Sequence, residues 1–337
     1  MKRTVWTFLL WFCVTSAAAG SGQKFAQLGD FKLIHGQVIR DCRIGYRTFG
    51  APNSDTSNAV LFPTWFGGRS EHLQNYVRPG GLVDSTRYFV IAVDALGNGV
   101  SSSPSNSPLQ PGRLFPEFTI RDMVRSQHEL LTKVLGIHHL SAIIGGSMGG
   151  MQVFEWIVHY PEFMDRAVAY VGSPRLASPD LLLWNTELRA IELAAKTSRG
   201  PAAALPVISL LQSLVIRTPE WLVQHVSREQ TAAFMARVDS TYAQLFQPWD
   251  WASQIRAMLS HDVSQPYGSM EAAARRVKAR VFIIVSATDH IVNPVPALQF
   301  AEMVGAKTLV LKNSCGHLAI GCELARVSAA IAEFLEK

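Results

Sequence analysis

The sequence is poor in cysteine, in charged residues and in long apolar stretches, and each shortage excludes a class of protein. Its four cysteines form no Cys-x-x-Cys pair, which excludes a zinc ribbon and a dense disulfide scaffold. Charged residues make up only 17% of the chain, and basic residues occur in short pairs such as Arg275-Arg276 rather than in blocks. The electrostatic footprint of a phosphate-binding protein is therefore missing, and we expect no nucleic-acid partner.

Beyond the N-terminal region, no stretch reaches the roughly 18 consecutive apolar residues of a membrane helix. Hydrophobic residues nevertheless make up 48% of the chain, which is typical of a globular protein and too high for intrinsic disorder. With 337 residues, the chain is too long for one small domain and fits one large α/β domain that carries an insertion.

The N-terminus has the three-part pattern of a secretory signal. Lys2 and Arg3 give a short positive start, an apolar run extends from Val5 to Val14, and alanines at 17–19 offer a cleavage site. We expect residues 1–19 to be removed and the mature protein to be exported, to the periplasm or the extracellular space, without stable membrane insertion. An uncleaved N-terminal anchor is the alternative.

Apolar runs alternate with amphipathic segments through most of the remaining chain. After two early antiparallel strands, this alternation predicts an α/β fold with a mostly parallel, eight-stranded sheet that helices cover on both faces. The expected core comprises residues 20–173 and 280–337. Its expected strands are 31–34, 44–48, 59–62, 88–93, 142–144, 167–171, 281–285 and 308–311, and its expected helices are 119–135, 149–159, 294–304 and 323–335.

The alternation breaks between residues 174 and 279, where helical periodicity continues without convincing strands. Candidate helices cover residues 181–195 and a segment that begins at Ser227. We interpret the whole segment as an inserted helical lid. Four of the eight tryptophans lie in it: Trp184, Trp221, Trp249 and Trp251.

The strongest single motif is Gly145-Gly146-Ser147-Met148-Gly149, which directly follows an apolar strand and directly precedes a helix. In that context it predicts a nucleophile elbow, a turn so tight that glycines must flank the serine. The turn raises the Ser147 hydroxyl above the carboxyl end of the sheet, where the helix N-terminus favours negative charge. A plain glycine-rich turn between strand and helix is the alternative.

A serine nucleophile needs a base and an acid that orients the base, and after an elbow of this kind both come later in the chain. Asp289 follows the apolar run at 281–285, and His317 follows the last expected strand. Because the carboxyl ends of parallel strands meet at one edge of the sheet, we expect Ser147, Asp289 and His317 to form a catalytic triad. His290 is the rival base, but its position beside Asp289 favours a structural or surface role.

Acyl chemistry also needs N–H donors for the oxygen that becomes negatively charged. One donor is expected to be the backbone N–H of Met148, the residue after the nucleophile. The second is expected in the loop after the strand at 59–62, where Trp65 is our choice and Thr64 the alternative. A role of Trp65 in packing the pocket wall is compatible with this assignment.

Longer motifs resemble the homoserine O-acetyltransferase family of α/β hydrolases. The resemblance runs from about Tyr46 to Glu187 and resumes at the motifs of Asp289 and His317. It implies an α/β-hydrolase fold, an acylated Ser147 and a helical lid, which in this family often forms a dimer contact. It also implies the triad and an oxyanion position at Trp65. The motifs are Gly80-Gly81 with Asp84 to Phe89, Phe115-Pro116 with Thr119 to Val124, and Gly145 to Gln152.

The sequence departs from these transferases at two places. Leu318 stands where the family usually carries an aspartate that helps hold the substrate's amino group, and an apolar side chain cannot pair with an ammonium. The stretch Pro63-Thr64-Trp65-Phe66-Gly67 replaces the family's His-Ala-Leu-Thr-Gly and is more similar to the hydrolase-like branch. Acetyl-CoA is also not expected outside the cytoplasm.

We therefore predict an exported serine acyl hydrolase of the esterase type, which acts on a small ester or acyl substrate without a cofactor or a metal ion. Leu318, Thr64 and Phe66 are the expected substrate contacts, and the resemblance allows a homodimer through the lid. The alternatives are an O-acyltransferase of the homoserine O-acetyltransferase type and a non-catalytic binding protein on the same fold.

Removal of Cys13 with the signal would leave Cys42, Cys315 and Cys322, an odd number of cysteines. Cys315 and Cys322 bracket His317 in a chain bound for an oxidising compartment, where a disulfide between them would brace the catalytic loop. Two separate buried thiols are the alternative. In the disulfide case Cys42 is unpaired.

Overall fold

The structure is a computed structural model that describes residues 22–336, so the proposed signal at 1–19 lies outside the described residues. Eight strands form one sheet in the order β1-β2-β4-β3-β5-β6-β7-β8. β1, β2 and β4 pair antiparallel, and all other neighbours pair parallel, which confirms the predicted sheet. The strands are β1 (Lys24–Lys32), β2 (Val38–Phe49), β3 (Ala59–Pro63), β4 (Phe89–Val93), β5 (Leu140–Gly146), β6 (Met164–Tyr170), β7 (Arg280–Ser286) and β8 (Lys307–Leu311).

Twelve α-helices occur within residues 22–336, and short 3-10 and π turns connect or extend several of them. The expected helix 119–135 divides into α2 and a π turn at Leu130–Val134. The helices are α1 (Ser70–Leu73), α2 (Ile120–Glu129), α3 (Met148–His159), α4 (Ser178–Ala194), α5 (Leu205–Val215), α6 (Pro219–His225), α7 (Thr231–Leu245), α8 (Pro248–Leu259), α9 (Met270–Ala274), α10 (Val295–Val304), α11 (Ala319–Cys322) and α12 (Leu324–Glu336).

The inner strands are continuous apolar runs because helices cover both faces of the sheet. β3 is buried along its whole length. In β5, Ile143 packs into the core on one face and Ile144 into the core on the other. The sheet is therefore a rigid platform, and its carboxyl edge holds the ends of β5, β7 and β8 close together.

The segment between β6 and β7 is helical, from α4 to α9. Not all of this segment belongs to a lid. Its last part packs against α3, a helix of the core: the Tyr267 hydroxyl lies 2.8 Å from His159 Nδ1, and Arg276 Nε donates to the Val158 carbonyl at 2.9 Å. The predicted lid at 174–279 therefore includes residues near its C-terminal end that pack against the core helix α3. Helical periodicity alone does not separate the two.

Among residues 22–336, no single helix is long and apolar enough to cross a membrane. The segments Pro201–Val215 and Pro219–His225 meet the length and composition criteria only together, and a bend of 99° separates them.

A buried cluster of Glu155, His159 and His261 joins α3 to the residues that follow α8. Glu155 is 3% exposed, and its carboxylate lies 2.8 Å from His159 Nε2 and 3.2 Å from His261 Nδ1. Burial alone would raise the pKa of Glu155, but the two imidazoles outweigh burial and hold this pKa well below its usual range. The other ring nitrogen of His261 lies 2.9 Å from the Ser173 carbonyl, so the cluster fixes both ends of the lid segment.

We expect Glu155→Gln to destabilise the protein by about 3–5 kcal/mol, because the substitution leaves the charge of Arg121, 3.4 Å away, and the ring nitrogens of His159 and His261 without their carboxylate partner. The measurement is urea unfolding at pH 7. The matched control is Glu162→Gln at an exposed pair with Lys278, which should change stability by less than about 1 kcal/mol. Equal effects of the two substitutions would contradict the assigned role of Glu155.

The same cluster gives the stability a defined pH dependence. The pKa of Glu155 is lower in the folded protein than in the unfolded chain, where it is about 4.3. The stability that this carboxylate contributes is therefore present above that pH and is lost as the pH falls below it. Acid titrations of the unfolding free energy should show a shallower loss in Glu155→Gln than in the parent protein.

Candidate active site

Ser147 occupies a strained turn between the end of β5 and the start of α3. Its backbone angles are φ 56° and ψ −125°, a conformation that few non-glycine residues adopt. Neighbouring side-chain and backbone atoms leave no space for larger residues beside it. A Cβ on Gly146 would lie 1.9 Å from the Tyr170 ring, and a Cβ on Gly149 would lie 2.7 Å from the Pro63 carbonyl oxygen. The glycines are therefore a steric requirement of the turn.

The structure brings the three predicted triad side chains together. His317 Nε2 lies 2.9 Å from Ser147 Oγ, and His317 Nδ1 lies 2.7 Å from Asp289 Oδ2. Asp289 and His317 are both buried. In this geometry the imidazole can accept the serine proton while the carboxylate stabilises the resulting positive charge. His290 is exposed.

The turn that carries Asp289 is fixed by its own backbone and by the lid. Asp289 Oδ1 accepts hydrogen bonds from the N–H groups of Ile291 and Val292 at 2.8 and 3.0 Å. Asp180 of α4 accepts from the N–H of Asn293 at 3.0 Å, and burial raises the pKa of this second carboxyl. No sequence pattern indicates Asp180, because its contact with the turn crosses 113 residues of chain.

Met148 and Trp65 are the two residues that the sequence predicts as backbone donors to an oxyanion. Met148 is the first residue of α3, so its N–H has no carbonyl partner within the helix. Trp65 lines the same cavity as Ser147. Its ring packs against His72 and Tyr76, with centroid distances of 6.3 and 6.0 Å, and this packing fixes the loop after β3.

The structure contradicts both expectations for Thr64. Its N–H donates to the Val93 carbonyl at 3.0 Å, and its hydroxyl accepts from the Ala95 N–H at 3.0 Å. The residue is fully buried and is not part of the cavity lining. Hydrogen bonding to β4 continues one residue past the end of β3, so Thr64 is neither an oxyanion donor nor a substrate contact.

A cavity of about 630 Å³ lies over Ser147 and His317, between the sheet edge and the lid. Phe66 lines it and packs against two lid tryptophans, Trp184 and Trp251, at centroid distances of 5.1 and 4.2 Å. Leu318 also lines the cavity. The walls are therefore mainly apolar, and both Phe66 and Leu318 are placed to touch a substrate.

Several cavity residues were not predicted. Five of them come from the lid segment: Gln212, Ile216, Arg217, Tyr242 and Phe246. The others come from the core: Tyr76, Tyr170, Val171, Ile291, Ile320, Gly321 and Cys322. The tryptophan content of the segment was the only signal for its role. It was partly informative, since Trp184 and Trp251 line the cavity whereas Trp221 and Trp249 do not. Within residues 22–336, no cluster of three or more His, Cys, Asp or Glu side chains could hold a metal ion.

The loop that carries His317 is held by a disulfide and by hydrogen bonds to the lid. Cys315 and Cys322 form a disulfide with a Cα–Cα distance of 6.6 Å, and Cys42 is a buried free thiol. The His317 N–H donates to the Ile216 carbonyl at 3.0 Å, at the corner between α5 and α6. One tie is thus covalent and within the loop, and the hydrogen bonds connect the loop to the lid.

We expect the double variant Cys315→Ser/Cys322→Ser to lose about 2–3 kcal/mol of folding stability, the typical contribution of a disulfide that closes a short loop. It should also react more slowly with a fluorophosphonate at Ser147, because His317 is less firmly positioned. Labelling rates and urea unfolding are the measurements, and Cys42→Ala, which leaves the disulfide intact, is the control. Unchanged labelling in the double variant would contradict a role for the disulfide in positioning His317.

Comparisons with known proteins agree with this fold. Residues 60–321 match the family model of the alpha/beta hydrolase fold. The chain is 31% identical over 316 residues to ethyl acetate hydrolase from Pseudomonas veronii, covering 88% of this chain and 89% of that protein. It is 30% identical over 362 residues to homoserine O-acetyltransferase from Clavibacter michiganensis subsp. michiganensis, covering 93% and 92%.

Among solved structures, the acetylester hydrolase from Corynebacterium glutamicum superposes with a TM-score of 0.87 at 28% identity, covering 94% of this chain and 96% of that one. Relatives of both kinds, ester hydrolases and acyltransferases, therefore share the whole architecture. The chain belongs to the α/β-hydrolase family, as an enzyme of the group within it that acts on esters or transfers acyl groups.

Proposed function

We propose that this protein is an exported serine acyl hydrolase that cleaves small esters through an acyl-Ser147 intermediate. The observation that supports this most directly is the pair of contacts that His317 makes with Ser147 and Asp289 at the floor of a mainly apolar cavity. The relatives named as ethyl acetate hydrolase and acetylester hydrolase make acetate esters the first substrates to test.

In the acylation step, Ser147 Oγ attacks the ester carbonyl carbon while His317 Nε2 takes the serine proton. Asp289 stabilises the imidazolium through Nδ1, and the N–H groups of Met148 and Trp65 donate to the oxyanion. When the tetrahedral intermediate collapses, the carbon–oxygen bond to the alcohol breaks. His317 then gives its proton to the leaving alcohol, and the acyl group remains on Ser147.

Water completes the cycle. His317 removes a proton from a water molecule as its oxygen attacks the acyl carbon, and the returned proton restores Ser147 while the carboxylic acid leaves. An acyltransferase would need to hold a second acceptor well enough to exclude water. Leu318 offers no charge to an amino-acid ammonium, and this favours hydrolysis over transfer to homoserine.

Two further parts of the proposal concern location and assembly. Export rests on the pattern at residues 1–19, and a disulfide between Cys315 and Cys322 is consistent with an oxidising compartment.

Association of two chains through the lid is supported by an apolar surface on the lid helices. Large apolar side chains on the lid helices are exposed, among them Leu182, Leu193, Val207, Leu214 and Val223.

The hydrolase assignment predicts measurable turnover of p-nitrophenyl acetate without any acceptor. Ser147→Ala should abolish this turnover and the reaction with a fluorophosphonate while keeping the fold, because only oxyanion and binding effects remain. Ser141→Ala, at the other end of the same strand, is the matched control and should stay active. A folded parent protein that neither reacts with the fluorophosphonate nor turns over the ester would be a non-catalytic binding protein.

The transferase alternative is tested with acetyl-CoA and homoserine. We expect little release of CoA thiol, and we expect Leu318→Asp alone not to create transfer, since a single carboxylate supplies only the ammonium contact. Homoserine-dependent consumption of acetyl-CoA that clearly exceeds ester hydrolysis would replace the hydrolase assignment with the transferase.

A further inference from the structure

The substrate cavity is bordered by one permanent positive charge. Arg217, at the corner between α5 and α6, lines the cavity together with Ser147. Apart from His317, it is the only one of the described lining residues whose side chain can be charged at neutral pH. The cavity is therefore mainly apolar in its walls but not electrically neutral.

The charge of Arg217 is not balanced by the protein. Within residues 22–336, no carboxylate pairs with its guanidinium, and no residue accepts a hydrogen bond from it. Burial lowers the pKa of Arg217, and no neighbouring acid counteracts this effect. None of its nitrogen atoms is among the enclosed side-chain atoms of the described residues that lack a partner, so all of them are accessible to a ligand. Arg217 is thus a partly buried cation with several N–H donors and no acceptor of its own.

Arg217 is nevertheless held in a fixed place. Its guanidinium carbon lies 3.9 Å from the centroid of the Trp221 ring, and Trp221 stacks on His225 at 4.1 Å. A contact with the face of an aromatic ring leaves the N–H groups available for an acceptor. On the backbone side, a Cβ on Gly316 would lie only 3.0 Å from the Arg217 Cα. Gly316 directly precedes His317, so Arg217 packs against the loop that carries the catalytic base.

We propose that Arg217 binds a carboxylate of the substrate, so that the preferred substrate is an ester that carries a carboxylate in its acyl or its alcohol part. A guanidinium binds a carboxylate through paired, charge-assisted hydrogen bonds. One cation matches the single charge of a carboxylate better than the nearly double charge of a phosphate monoester. The apolar walls contact the rest of the molecule. This inference rests on the proposed hydrolase function.

The test compares esters that carry a carboxylate with the corresponding carboxamides, which have nearly the same size and shape but no charge. Ethyl hydrogen succinate and ethyl hydrogen adipate, against ethyl succinamate and ethyl adipamate, test the acyl part at two chain lengths. 3-Acetoxypropanoate against 3-acetoxypropanamide tests the alcohol part. The readout is the ratio of kcat/KM within each pair, carboxylate over carboxamide, measured by acid release at pH 7 and low ionic strength.

We expect the parent protein to prefer the carboxylate member of at least one pair by about tenfold, because a hydrogen bond between charged groups contributes more than a neutral one. Arg217→Met should lose this preference, and Arg217→Glu should favour the carboxamides. Arg217→Lys keeps the charge without the paired geometry and should retain part of the preference.

Arg237→Met is the matched control. Arg237 is also a lid arginine over an aromatic ring, that of Phe234, but it is exposed and does not line the cavity. The control removes the same charge from the lid and should keep the ratio of the parent protein. Thermal unfolding verifies that each variant folds.

A parent protein without a preference in any pair would overturn the carboxylate site and leave the hydrolase function intact. A preference that survives Arg217→Met would do the same, and would leave Arg217 only a structural role on Trp221.

Absence of all ester hydrolysis would instead mean that the proposed function fails. Calorimetric binding of 4-phenylbutanoate and 4-phenylbutanamide, which are not esters, then decides the carboxylate site alone. The parent protein should bind the carboxylate more tightly than the amide, and Arg217→Met should not. Equal binding of both compounds by the parent protein, or a difference that Arg217→Met keeps, would reject the site.

Discussion

The structure of the site depends on one steric constraint, the close approach of backbone around Ser147. β5, α3 and β6 meet so tightly that Gly150 and Gly172 pack against each other, and a Cβ on Gly172 would lie 2.8 Å from the Gly150 Cα. This closeness allows a serine with a positive φ angle to stand at the edge of the sheet. The parallel order of β5, β7 and β8 then brings an acid and a base to the same edge.

The parts of the site that could be predicted from sequence are those attached to the ends of buried strands. Ser147, Asp289 and His317 each follow an apolar run, and the geometry of a parallel sheet determines where such residues meet. Thr64 was assigned wrongly because a run of apolar residues does not show at which residue the hydrogen bonds between β3 and β4 stop.

The lid could be recognised from sequence but not oriented. α7 has no fully buried residue and α8 is mostly buried, yet both have helical periodicity and neither differs clearly in composition. Which face of each helix meets the cavity is decided by contacts across many residues of chain, such as the bond between Glu187 and Trp251. These contacts shape the cavity wall, and they are the part of the site that a single sequence conveys least.

The contact between the lid and the catalytic loop has a consequence for the order of folding. The hydroxyl of Thr218 bonds to the Ser314 carbonyl at 2.7 Å, across 96 residues of chain, beside the bond from His317 to Ile216. Closing so long a loop costs entropy before any contact offsets it, and the pairing of β6 with β7 across the same lid segment carries a similar cost. The order of the sheet and the position of His317 therefore both depend on contacts between distant parts of the chain. A partly folded chain can carry the elbow and still be inert, so we expect catalytic competence to be gained together with these long-range contacts.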